Sequence, residues 1–144
     1  PIRTQISIAE LFTDLKKLFP EEEFQFEVPT PELKLNADRT QIEQILINLL
    51  KNAREACSRK SDKKIQVKAR KLSAGNTTLT ISDNGEGILP DVLDKIFVPF
   101  FTTKTSGSGI GLSLCKQIMT LHEGSINVKS EVGKGSSFIL TFPK

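Results

Sequence analysis

Two asparagines, Asn48 and Asn52, stand four residues apart in a long apolar-periodic stretch. Two glycine runs follow, Asp83-Asn84-Gly85-Glu86-Gly87 and Gly107-Ser108-Gly109-Ile110-Gly111-Leu112. On a helix the four-residue interval stacks both carboxamides on one flank. Asn52 falls at the edge of the apolar stripe, where an amide needs hydrogen-bonding partners. Solvated or capping asparagines meet the same description, so the pair alone assigns nothing. The first glycine run ends a predicted strand; glycine there lets backbone come close to a ligand and leaves the Asp83 carboxylate at the mouth of a sheet, although by itself it reads as an ordinary turn. The second run opens a predicted helix, whose first amides make a place for phosphate. It has neither the GxGxxG spacing of dinucleotide folds nor that of a P-loop, and a loop instead of a strand precedes it, which counts against both sites.

The asparagines are carried by the stretch from Asp38 to Lys60. At 100° per residue, Ile42, Ile45, Leu46, Leu49, Leu50, Ala53, Ala56 and Cys57 form one apolar stripe, with Gln44, Asn48, Lys51 and Glu55 opposite or to one side. Asp38 is placed to cap its first turn, and Arg59 and Lys60 sit where the helix dipole favours cations. Ser7, with Glu10 three residues on, predicts a capped first helix with Ile8, Leu11, Phe12, Leu15, Leu18 and Phe19 as its apolar face, ended by Pro20. Alternation predicts short strands at Phe24 to Val28 and Leu33 to Leu35. A hairpin runs from Ile65 to Asp83, turning at Ser73 to Asn76, and a second from Ile126 to Phe142, turning at Gly133 to Gly135. A short helix is expected at Pro90 to Ile96. A last helix runs from about Gly109 to His122, with Ile110, Leu114, Ile118 and Leu121 on its apolar side and Gly124 as its stop. The fold class that follows is a two-layer α/β sandwich, a mixed, largely antiparallel sheet with helices packed on one face.

At 144 residues and 38% hydrophobic the chain suits one domain, residues 1–144, with a substantial core. No apolar run reaches the ~20 residues of a membrane helix. A soluble, cytoplasmic domain is the expectation, and because Pro1 is no translation start, the chain reads as a fragment of a longer protein whose parent can be membrane-anchored. The net charge of +3 and a basic stretch from Arg59 to Lys71 fit a solvated surface better than a nucleic-acid site. Cys57 and Cys115 fall among apolar helix positions, as buried free thiols do in a reducing compartment.

The conjunction is more specific than its parts. An Asn-x-x-x-Asn helix, then DNGEG, a Phe-rich segment and GSGIG, in this order, resembles the catalytic and ATP-binding domain of sensor histidine kinases, in the superfamily shared with type II topoisomerases, ninety-kilodalton chaperones and mismatch-repair ATPases. Asn48-Leu49-Leu50-Lys51-Asn52-Ala53 resembles the family's N box, Asp83 to Ile88 its first glycine box, Phe97-Val98-Pro99-Phe100-Phe101 its F box, and Gly107 to Leu112 its second glycine box. His122-Glu123-Gly124-Ser125-Ile126 and Gly133-Lys134-Gly135-Ser136-Ser137-Phe138 resemble its closing elements. Asn-Ala-Arg-Glu-Ala, Pro-Phe-Phe-Thr-Thr-Lys and the short interval to GSGIG look most like the nitrogen-regulatory branch.

The resemblance implies a Bergerat-type fold that binds Mg-ATP and passes the γ-phosphoryl group to a histidine on a separate dimerisation domain, with a response regulator downstream, no nucleic-acid partner and a monomeric isolated domain. Asn52 would ligate Mg²⁺ through its amide oxygen, Asn48 would support the phosphate end, and Asp83 would accept from the adenine amino group. Asn48, Asn52 and Lys104 would carry catalysis. The nucleotide-binding set it implies is Asn48, Asn52, Asp83, Gly85, Gly87, Ile88, Thr103, Lys104, Gly107, Ser108, Gly109, Ile110, Gly111 and Leu112, within a lid from about Val98 to Ser108. Phe97, Phe100 and Phe101 are expected as packing anchors beside that lid. Many relatives carry Lys where this chain has Glu55, which passes charge stabilisation to Lys51, Arg54 or Lys104. The phosphoacceptor helix is missing, and His122, the sole histidine, reads as a helix-end residue whose charged form the dipole favours. Two alternatives stand beside the kinase, with a protein-serine kinase of the same superfamily as a minor third. An ATP-hydrolysing switch like the topoisomerase relatives would need a water-activating glutamate at the position of Asn48, and an amide cannot take that proton. A nucleotide-binding module without catalysis is the other.

Overall fold

The computed structural model describes residues 1–101 and 111–144. Among the described residues, seven strands and four helices follow in the order β1 (Thr4–Ser7), α1 (Ile8–Leu18), β2 (Phe24–Glu27), β3 (Lys34–Ala37), α2 (Arg39–Ala56), β4 (Ile65–Lys71), β5 (Thr77–Asp83), α3 (Pro90–Leu93), α4 (Gly111–Leu121), β6 (Ser125–Glu131) and β7 (Gly135–Phe142). The main sheet has the order β2-β4-β5-β7-β6, antiparallel except for the parallel edge pair β2 and β4. A separate two-stranded sheet pairs β1 with β3.

Helix α1 starts where Ser7 accepts the Glu10 amide, and α2 where Asp38 accepts that of Gln41. Each cap satisfies one of the first-turn donors that a helix leaves unpaired. The stripe Ile42, Ile45, Leu46, Leu49, Leu50 and Ala53 is sealed as its periodicity requires, at 3% exposure or less. It packs on the inner face of the sheet, where Ile65, Val67, Leu79, Ile81, Phe138 and Leu140 alternate with outward residues that are polar apart from Ile139. At roughly 1.5–3 kcal/mol for each fully buried large apolar side chain, this helix-to-sheet layer supplies most of what orders the chain.

Several local expectations are corrected. Helix α2 stops at Ala56, so Arg59 and Lys60 lie beyond it. The two expected strands on either side of Pro29 and Pro31 form and enter different sheets: β2 lies parallel to β4, and β3 pairs with β1, an unanticipated strand without sequence alternation to announce it. Leu18 is 56% exposed. On α4 the buried residues are Cys115, Ile118 and Met119, while Leu121 is half exposed, so the true stripe is rotated towards 115-118-119-122. Gly124 is not the left-handed residue at the end of α4. Glu123 takes that role, at φ 60°, with Glu123 N–H donating to Thr120 O and Gly124 N–H to Met119 O in a Schellman arrangement. Gly124 is needed instead for closeness, because a Cβ there would run into the Thr141 carbonyl.

Candidate functional site

Asn48, Asn52 and Ala56 recur at i, i+4 and i+8, so they form a row along one flank of α2 about 12 Å long at 1.5 Å per residue. Asn48 and Asn52 are half-buried, beside the sealed Leu49 and Leu50. The Asn52 amide nitrogen donates to Asn48 Oδ1 at 3.4 Å, which turns the Asn52 carbonyl oxygen away from Asn48. At the Asn48 end of the row, α4 begins. A Cβ on Gly111 would lie 2.5 Å from Asn48 Nδ2, so only glycine lets this helix start against the first asparagine. Leu112 packs half-buried on the core next to it.

At the Ala56 end sits the first glycine run. A Cβ on Gly85 would lie 2.5 Å from the Ala56 carbonyl, to which the Glu86 amide donates at 3.2 Å. The other side of the turn is held by the β6–β7 hairpin, through Gly133 N–H to Glu86 O (2.9 Å) and Ile88 N–H to Ser130 Oγ (2.8 Å). Gly87 adopts φ +77° with the Glu131 carbonyl against its Cα, a place no side chain fits. The turn is therefore wedged between α2 and the hairpin.

Asp83 ends β5 in phase with the inward residues Leu79 and Ile81. Its Oδ1 accepts the Gly85 amide at 2.8 Å. Burial pushes its carboxyl above the ordinary carboxylate value, more strongly than the Gly85 and Ser136 amides pull it down. The result is a half-buried acceptor anchored by backbone, at the opposite end of the row from Gly111. Asn84 points the other way: its Oδ1 accepts the Lys64 amide at 2.9 Å and faces Cys57 Sγ at 3.5 Å, while its Nδ2 donates to Asp62 O at 2.7 Å. It pins the loop after α2 and so supports the turn from behind. Both thiols are buried; desolvation raises Cys57, and Cys115 is pushed up to about 12, which removes either from consideration as a nucleophile.

The structure thus gathers Asn48, Asn52, Asp83, Gly85, Gly87, Ile88, Gly111 and Leu112 around one flank of α2. Thr103, Lys104, Gly107, Ser108, Gly109 and Ile110 lie outside the described residues, as does most of the expected lid. Arg54, one candidate for phosphate charge, is engaged elsewhere: it pairs with Glu21 at 2.6 Å and lies 4.9 Å and 5.3 Å from the Phe19 and Phe24 ring centroids. Phe97 packs half-buried against the core as an anchor, with Lys116 Nζ 5.8 Å from its centroid. Phe100 departs from expectation: it is 77% exposed at φ 67°, a left-handed conformation that costs a bulky residue about 1–2 kcal/mol. His122 is a helix-end residue, and both its ring nitrogens are engaged. It is 2% exposed, Nε2 accepts the Asp38 amide at 3.0 Å, and Nδ1 therefore donates to Ile118 O at 2.9 Å.

Sequence reasoning missed Ser130 and Ser136. Ser136 is the direct cross-strand partner of Asp83, buried at 6% on the inner face, and its amide reaches the Asp83 carboxylate. Counting register out from the Gly133 turn pairs Ser136 with Ser130, but its place opposite Asp83 depends on the β5–β7 pairing, which no turn announces. Among the described residues no three His, Cys, Asp or Glu side chains cluster as a metal cage. A lone carboxamide oxygen on Asn52 suits a hard cation that keeps its waters and leans on phosphate, as Mg²⁺ does.

Residues 37–144 match the family described as "Histidine kinase-, DNA gyrase B-, and HSP90-like ATPase". Among curated proteins, the sensor histidine kinase ZraS of Salmonella typhimurium is 40% identical over 110 residues, 76% of this chain and 23% of that protein. The chain thus spans about a quarter of the length of this relative. Among solved structures, the nucleotide-free catalytic domain of the histidine kinase ThkA is similar with a TM-score of 0.85 and 36% identity over 99% of this chain and 95% of that one. ThkA solved in complex with the response regulator TrrA gives a TM-score of 0.79 and 32% identity over 99% of this chain and 42% of the other.

Proposed function

Because the chain belongs to the family of histidine kinase-, DNA gyrase B- and HSP90-like ATPases, we propose that residues 1–144 are the catalytic and ATP-binding domain of a longer sensor histidine kinase. In this reading the domain binds Mg-ATP and transfers the γ-phosphoryl group to a histidine on a separate dimerisation domain. The observation that carries it is the row Asn48, Asn52, Ala56, bracketed by Gly111 at one end and by the turn holding Asp83 at the other. A triphosphate laid along that flank puts its anionic end at the amides and its base at an acceptor.

Asp83 accepts from the exocyclic amine of adenine, and Gly85 and Gly87 leave room for the ring. Asn48 and the start of α4 hold the phosphate end, with Thr103, Lys104 and Gly107 to Ile110 contributing from the second glycine box and lid. Mg²⁺, with Asn52 as its protein ligand, would neutralise charge on the phosphates. The acceptor imidazole attacks the γ-phosphorus, the bond to the β,γ-bridging oxygen breaks, and ADP leaves with that electron pair. Such transfer needs positioning and charge neutralisation more than a base, so a site whose residue 48 is an amide suffices once the nucleophile arrives on another domain. A response regulator takes the phosphoryl group onward, by analogy with the ThkA complex.

The test mixes this domain, expected to be monomeric, with a separately made acceptor domain and γ-labelled ATP. Acid-labile, base-stable label on the acceptor, and none on the isolated domain, supports the reading. Rapid ATP hydrolysis without an acceptor would favour the conformational-switch alternative.

A further inference from the structure

Ser130 Oγ has three polar neighbours: Ile88 N at 2.8 Å, Gly135 O at 3.1 Å and Ser136 Oγ at 2.8 Å. A hydroxyl has one proton to give and two lone pairs. Ile88 N–H can only donate and the Gly135 carbonyl can only accept, so these two take one lone pair and the single proton of Ser130. What remains for Ser136 is the second lone pair, which the Ser136 proton must fill. Sending the Ser130 proton to Ser136 instead would leave the Gly135 contact unmade. Only the first arrangement turns all three contacts into hydrogen bonds.

Ser136 stands directly across from Asp83 on the same inner face, with its amide on the Asp83 carboxylate. We infer that Ser130 is a positioning residue for base selection: it draws the Ser136 hydroxyl proton away from the base end of the cleft, so that Ser136 offers only lone pairs beside the Asp83 carboxylate. This rests on the reading of that end as the adenine site. Two acceptors side by side suit a 6-amino-purine, or a water that donates to the wall, and repel the carbonyl of a 6-oxo-purine. Without Ser130 the Ser136 hydroxyl is free to rotate and donate, and one of the two repelling groups becomes a partner.

ATP and inosine triphosphate, which differ in the six substituent and in the proton that the 6-oxo base carries on N1, are titrated into the full domain and into its Ser130→Ala and Ser130→Thr variants. The unmodified domain is expected to prefer ATP. In Ser130→Ala the ATP-to-inosine-triphosphate affinity ratio falls by about tenfold, the size of one hydrogen bond gained by the oxo base, while Ser130→Thr keeps the ratio. Equal weakening of both nucleotides in Ser130→Ala, or an unchanged ratio, would mean that Ser130 only braces the turn and overturns the inference. If Ser130→Ala does not fold, neutron diffraction from the deuterated parent decides: deuterium on Ser136 Oγ directed at Ser130 supports the inference, and deuterium directed into the cleft overturns it. A parent domain that binds neither nucleotide would sink the adenine-site reading itself, a result separable from any change between variants.

Discussion

Replacing Asp83 by Asn separates what this residue does for the nucleotide from what it costs the fold. Burial raises the Asp83 carboxyl above its unfolded value, so the folded protein holds that proton more tightly than the unfolded chain does. The associated stability is fully present below the unfolded carboxylate pKa of about 3.9 and is lost as pH rises through the folded value. At pH 7 the ionised, half-buried side chain is therefore a net burden. An amide of the same shape escapes that desolvation and still accepts the Gly85 amide. Asp83→Asn should melt no lower than the parent at pH 7, where about 1 kcal/mol corresponds to roughly 3–5 °C for a chain of this size. The nucleotide feels the opposite. A hydrogen bond to a charged acceptor is worth about 1.5–3 kcal/mol, so ATP should bind roughly ten- to a hundredfold more weakly, and preference over GTP should narrow because an amide can present a donor. Scanning calorimetry and titration calorimetry on the same two proteins check both halves. A variant that melts several degrees lower while binding ATP as before would refute the reasoning, making Asp83 a structural turn residue and nothing more.

The same shift sets a pH dependence: ATP affinity of the parent should fall on acidification at a higher pH than an ordinary carboxylate would give, and Asp83→Asn should lose that limb in titrations between pH 4 and 8. Asn52→Ala should reduce the Mg²⁺ dependence of ATP binding, whereas Asn48→Ala should mainly slow transfer to the acceptor domain; unchanged metal dependence in Asn52→Ala would withdraw its role as ligand. Gly111→Ala places a methyl 2.5 Å from Asn48 Nδ2 and should weaken ATP at least about tenfold through the displaced amide, the size of one lost hydrogen bond, with a cooperative urea transition retained. Arg54→Ala removes two aromatic contacts and an exposed ion pair, which should cost about 1 kcal/mol in urea unfolding and leave ATP affinity within twofold.

The asparagine row was readable because a helical period places residues without any help from the rest of the molecule: 48, 52 and 56 share a flank whatever they face. The same holds for the sealed stripe of α2 and for both hairpins, whose turns are short enough to define their own register. Strand β1 was invisible because four residues pairing with β3 across α1 need no alternation of their own. The α4 stripe was misplaced because Cys115 and Met119 bury as well as leucine does, and because Leu121 falls off the face shared by Cys115, Ile118, Met119 and His122. His122 depended on an amide 84 residues away, a partner no local dipole argument could supply. Ser130 and Ser136 look like any solvated hairpin serines until cross-strand register sets one beside Asp83.

The sealed face of α2 has a consequence for how such a site can diverge. Leu49 and Ala53 each adjoin an asparagine of the row in sequence and are nearly inaccessible to solvent, so any roll of the helix that re-aimed the amides would lift core side chains into water. If this flank holds the phosphates as proposed, that end of the site is inherited along with foldability, and few substitutions can alter one and spare the other. The base end is built differently, from a turn and two strand residues whose hydroxyl and carboxyl groups contribute little to the core. On the proposed reading, sequence drift can rewrite which base is preferred while the grip on the phosphates stays as it was.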